Sequence, residues 1–82
     1  MNVTVLYFAA IRELVGKDEE RLEIPPGVHT VAEFSVWLAK MRPALEGRMG
    51  ALRVARNETF ALPDEEIEAD DVLALIPPVA GG

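Results

Sequence analysis

The stretch "NVTVLYFAAIRELVG", Asn2 to Gly16, changes its period halfway along, and that change decides the fold. Its first half alternates. Val3, Val5 and Tyr7 fall on one face of an extended chain, and Thr4, Leu6 and Phe8 fall on the other. Both faces are largely apolar, which predicts an interior strand over Asn2–Phe8. Beyond Phe8 the apolar residues Ile11, Leu14 and Val15 fall at helical spacing, and Gly16 stands where a left-handed residue ends a short helix. Strand and helix in one short run call for a mixed architecture.

The rest of the chain fits that start. Glu20–Ile24 alternates again with Leu22 and Ile24 inward, and Pro25-Pro26-Gly27 ends it. Thr30 opens the main helix, and Glu33 three residues on completes a capping box. Val31, Phe34, Leu38 and Met41 form one apolar stripe, and Pro43 closes the helix. Leu52–Arg56 and Thr59–Leu62 are short strands around Asn57-Glu58, a turn pair in which Asn tolerates positive φ. After the acidic connection "PDEEIEADD", Val72–Ile76 is an unbroken apolar run, which predicts a last strand covered on both faces. The expected fold class is therefore α+β: one main helix packed on a small mixed sheet, with a short extra helix after the first strand. Residues 1–76 form the domain and 77–82 an extended tail, with no repeat or linker.

Composition narrows the function. The chain has 82 residues and no cysteine, which excludes disulfides, thiolate metal sites and cysteine nucleophiles. Its net charge of −6 carries no basic cluster, so nucleic acid is a poor partner, and a basic protein surface is a better one. No apolar run approaches the roughly 20 residues of a membrane span. The opening "MNVTVLYFAA" alternates like a strand and lacks a positively charged leader, so a signal peptide is rejected and the cytoplasm is the expected location.

Internal chemistry is sparse. His29 is the single histidine and reads as a turn residue before the helix cap; with Ser35 it makes no hydrolase triad. The acidic clusters Asp18-Glu19-Glu20, Asp64-Glu65-Glu66 and Asp70-Asp71 lack the ligand spacing of a calcium loop and read as solvated turns, so no metal site is expected. Trp37 lies beside the apolar stripe, at the core or its edge. Nothing here supports a self-sufficient enzyme.

The tail "PPVAGG", Pro77 to Gly82, is different in kind. Two prolines lack N–H groups and stop the sheet ladder, and they favour an extended segment projecting from the body. Gly81 and Gly82 have no side chains, so they can enter a channel closed to any Cβ and adopt any φ. Such an end suits delivery of a carboxylate into another protein's active site. Free in solution, Val79 to Gly82 are expected to be mobile, since nothing offsets their backbone entropy.

Three stretches, "LYFAAIRELVG" at Leu6–Gly16, "VARNET" at Val54–Thr59 and "DDVLALIPPVAGG" at Asp70–Gly82, carry a resemblance that spans essentially the whole chain. The sequence resembles the family of molybdopterin synthase small subunits, sulfur carriers with the β-grasp (ubiquitin-like) fold. The resemblance implies that an activating partner uses ATP to adenylate the Gly82 carboxylate, and that a sulfur donor then makes it a thiocarboxylate. Gly81 permits access, and the tail enters the large synthase subunit to give sulfur to a pterin precursor. No cofactor is bound by this chain itself. Phe8, Phe60 and Ile76 are the expected contacts with the large subunit. Arg56 departs from the family pattern, which places a small apolar residue before the Asn. Other readings stay open: a carrier for thiamine synthesis or tRNA thiolation, a modifier joined to lysines through Gly82, or an interaction module with an idle tail.

Overall fold

The computed structural model describes residues 1–78; the expected mobility and reach of Val79–Gly82 lie outside those residues. Strand β1 (Asn2–Tyr7) turns at Phe8 into helix α1 (Ala9–Val15), which Gly16 ends at φ +89° with its N–H donating to the Arg12 carbonyl. Strand β2 (Glu19–Glu23) follows, then helix α2 (Val31–Met41). Two 3₁₀ turns, Pro43–Leu45 and Met49–Ala51, lead to β3 (Arg53–Arg56), β4 (Thr59–Phe60) and β5 (Val72–Ile76). The sheet order is β2-β1-β5-β3-β4. β1 and β5 are parallel, and the other neighbours are antiparallel. This is the expected α+β arrangement of one main helix on a mixed sheet, with the extra short helix after β1.

Alternation in β1 and β5 separates the two sheet faces. Val3, Val5, Tyr7, Leu73 and Leu75 are at most 2% exposed and meet Phe34 and Leu38 of α2 in the core. The capping box of α2 is complete: the Thr30 hydroxyl accepts from the Glu33 N–H, and the Glu33 carboxylate accepts from the Thr30 N–H. No helix among the described residues is long and apolar enough to cross a membrane.

Four expectations change. Met41 is exposed, because the helix ends there and Arg42 already has non-helical backbone ahead of Pro43, so the buried stripe is Val31, Phe34 and Leu38. Leu14 is likewise exposed, which leaves Ile11 as the buried anchor of α1. β5 is not covered on both faces: Val72 and Ile76 are only half-buried, and their side of the sheet carries no helix. Finally, Glu20 and Asp71 are not solvated turn residues. Glu20 accepts hydrogen bonds from the Tyr7 hydroxyl (2.5 Å) and Arg42 Nε (2.9 Å), and Asp71 is buried.

Candidate functional site: the open sheet face and the base of the tail

The face opposite α2 follows from the registers. Leu6 pairs with Ala74, Ala74 with Ala55, and Ala55 with Phe60, so one row of apolar side chains crosses four strands. Phe8 and Ile76 stand beyond that row, on the side where β5 leaves the sheet. Together with Val72 and Glu58 these residues line a shallow groove of about 260 Å³. The small side chains of Ala55 and Ala74 form its floor, and the large ones its walls. Phe8 is 46% exposed and Phe60 50%, a large aromatic area to leave in water without a partner.

Each wall is held by local structure. Phe8 ends β1, and its carbonyl accepts from the N–H groups of Ile11 and Arg12 as Ala9 turns through φ +49°. Phe60 is presented by the β3–β4 hairpin, whose turn residues Asn57 and Glu58 both have left-handed backbone, φ +51° and +72°. The Arg53 guanidinium lies over the Phe60 ring, 3.9 Å from its centre.

The hairpin is tied to β5 through Asn57 and Asp71. The Asn57 N–H donates to the Val72 carbonyl, and the Val72 N–H donates to Asn57 Oδ1 (2.9 Å). Asn57 Nδ2 donates in turn to Asp71. Arg56 Nε (2.5 Å) and the Glu68 N–H (2.7 Å) donate to the same carboxylate. Burial alone would raise the Asp71 pKa, but these hydrogen bonds outweigh it and hold the carboxyl below its usual range. Hydrogen bonding to Asp71 likewise raises the Arg56 pKa. Arg56 also pairs with Glu65 and Glu68. Its departure from the small apolar residue expected there therefore has a local cause: it neutralises a buried acid beside the hairpin turn.

Of the expected contact residues, Phe8, Phe60 and Ile76 are brought together on one groove. Gly81 and Gly82 lie outside the described residues. β5 ends at Ile76, opposite Arg53, and the prolines follow, Pro77 half-buried and Pro78 exposed. The tail therefore starts at the edge of the groove. Arg53, Ala55 and Glu58 were not anticipated in this site. Alternation through Leu52–Arg56 puts Arg53 and Ala55 on one face, but which face is open depends on where α2 packs.

A larger hollow on the other side of the molecule is lined by residues that include Ile24, Pro26, His29 and Trp37. His29 is exposed there, and its backbone N–H supports the helix cap by donating to the Glu33 carboxylate. Among the described residues no group of His, Cys, Asp and Glu could hold a metal ion.

Comparison with known proteins agrees with this geometry. The model of the ThiS family matches residues 5–82. The molybdopterin synthase sulfur carrier subunit of Chlamydomonas reinhardtii is 34% identical, with both chains fully covered. The subunit of the same name from Escherichia coli K12 is 37% identical over 98% of this chain and 99% of its own. Among solved structures, SAMP1 from Haloferax volcanii, a small archaeal modifier protein, superposes with a TM-score of 0.85 at 32% identity, with both chains fully covered. On a match that takes in nearly the whole chain, the protein belongs to the ThiS family of β-grasp proteins, beside the sulfur carrier subunits of molybdopterin synthase.

Proposed function

We propose that this protein is the sulfur carrier subunit of molybdopterin synthase, with Gly82 as the residue that carries the sulfur. The observation that carries the reading is the apolar groove on the open sheet face, whose edge at Ile76 is the start of the tail. A surface that binds a partner and a terminus that reacts inside it would be needed side by side, and here they adjoin. The full-length relatives named as sulfur carrier subunits support the same reading.

The division of labour follows from chemistry. A carboxylate is a poor electrophile. An ATP-dependent activating enzyme would join the Gly82 carboxylate to AMP with release of pyrophosphate, making an acyl-adenylate. A sulfur donor would then displace AMP and leave a thiocarboxylate. In the large synthase subunit that sulfur would bond to a carbon of a pterin precursor, and water would cleave the acyl–sulfur bond, supplying the oxygen that returns the carrier to its carboxylate. ATP is used by the activating partner, and this chain contributes the reacting terminus and the docking face. Its working compartment on this reading is the cytoplasm.

Two variants test the reading. Removing Gly82, or adding one residue after it, shifts the reacting carbon along a fixed reach, and misplacement by about 1 Å can abolish a positioned reaction. Sulfur transfer in a reconstituted synthase should be lost while thermal unfolding is unchanged. Transfer by the extended variant at the parental rate would refute the assignment of Gly82.

The likeness to the archaeal modifier favours a second reading, in which Gly82 is joined to lysines of other proteins. Isopeptide-linked adducts in cell extracts, absent when Gly82 is deleted, would support it.

A further inference from the structure

The groove carries opposite charges at its two ends. At the end where the tail starts, Arg53 pairs in register with Ile76 and lies over Phe60. At the other end Glu58 forms the hairpin tip beside Val72 and lines the groove. Both side chains belong to exposed residues, and among the described residues neither is in an ion pair. The other guanidinium and carboxylate groups of this region are already committed: Arg56 to Asp71, Glu65 and Glu68, and Arg21 to Asp70.

Glu58 has a second peculiarity. It occupies φ +72° as the second residue of a two-residue hairpin turn, the position at which glycine is unstrained. Its side chain makes no hydrogen bond among the described residues that would hold it there, whereas Asn57 beside it makes two through its side chain. A strained, exposed residue kept where glycine would be easier, on the lining of a groove, points to a use outside the fold.

We infer that Glu58 and Arg53 fix the orientation in which the large subunit docks, through a cationic side chain of that partner against Glu58 and a carboxylate against Arg53. This rests on the open face being the docking face. Apolar side chains along the groove give affinity but little direction, since a row of Leu, Ala and Phe can be met in either sense. Two opposite charges, one at the start of β3 and one in the turn that follows it, remove that ambiguity: the reversed complex would bring like charges together. Only one sense leaves the tail pointing at the partner's reaction centre. The net charge of −6 makes the single positive end distinctive.

The test is the association rate of the full chain with the large synthase subunit, by stopped flow at low and high salt. Glu58→Lys and Arg53→Glu should each slow association about tenfold at low salt, with the deficit largely gone at high salt. Glu58→Gly removes the charge and relieves the turn, so it should fold at least as stably yet associate several-fold more slowly at low salt. Phe8→Ala should weaken the complex at both salt concentrations. If Glu58→Gly and Arg53→Glu associate like the parent while Phe8→Ala binds weakly, the docking face stands and this inference falls. If Phe8→Ala also binds like the parent, the docking face itself is wrong and both fall.

Discussion

Glu58 shows what one residue contributes and what it costs. A side chain at positive φ is destabilised by about 1–2 kcal/mol relative to ordinary backbone, and glycine avoids most of that. Glu58→Gly should therefore raise stability by about 1 kcal/mol, or about 4–8 °C in Tm for a chain of this size, in thermal unfolding of the full chain. An unchanged or lower Tm would mean that the carboxylate supports the fold. Asp71 is the opposite case. Asp71→Ala strands the Arg56 and Asn57 donors and the Glu68 N–H beside the hairpin turn, and should cost about 2 kcal/mol in urea unfolding. Loss of less than about 0.5 kcal/mol would show that water replaces the carboxylate there. The turn was legible in the sequence because Asn tolerates αL locally. Asp71 was not, because its partner Arg56 lies 15 residues away and the two meet only when β3 pairs with β5.

At the scale of elements, one ion network ties three of them together. Tyr7 of β1, Glu20 of β2 and Arg42 at the end of α2 converge on the Glu20 carboxylate, which Lys17 also approaches. The hydrogen bond from Arg42 acts first in holding the Glu20 pKa below the usual range, against burial, and Tyr7 adds to it. A carboxyl with a depressed folded pKa contributes stability above its unfolded value and loses it as pH falls through the folded one. Acid unfolding should thus begin as pH drops below about 4 and steepen beneath that. The Tyr7 phenol is displaced upward, by burial first and then by its hydrogen bond to Glu20. Its neutral form is favoured in the fold, so stability holds below about pH 10 and is lost as pH rises above it. Urea unfolding across pH checks both limbs: Glu20→Gln should make the acid limb shallower, and Tyr7→Phe the alkaline one. Limbs of unchanged slope would remove this network from the balance. Sequence periodicity gave every helix and strand its place, since each pattern is local. What it missed is the exposure of Met41 and the end of β4, which stops at Phe60 and not at Leu62, because both depend on which face the neighbouring element covers.

For the whole molecule, the two faces of the sheet divide the work. One face is closed by α2 and supplies stability, and the other stays open beside the tail. Phe8→Ala should therefore weaken binding to the large subunit by about 2 kcal/mol or more while changing thermal stability little, because Phe8 is half in water already. Comparable losses in both measurements would put Phe8 in the core. Alternation in Asn2–Phe8 and Val72–Ile76 sorted the side chains between the two faces, but both faces are apolar, and only the packing of α2 on one of them shows that the other stays open. The chemistry of Gly81 and Gly82 was legible only through resemblance, since glycines carry no functional group beyond the backbone. The central claim is that Gly82 carries sulfur, and the most direct test is the intact mass of the full chain after incubation with ATP, a sulfur source and the activating enzyme. The expected result is the gain of one oxygen-to-sulfur exchange, located by fragmentation at Gly82 and absent when ATP is withheld. A chain of unchanged mass, or the same gain in a variant extended beyond Gly82, would contradict it.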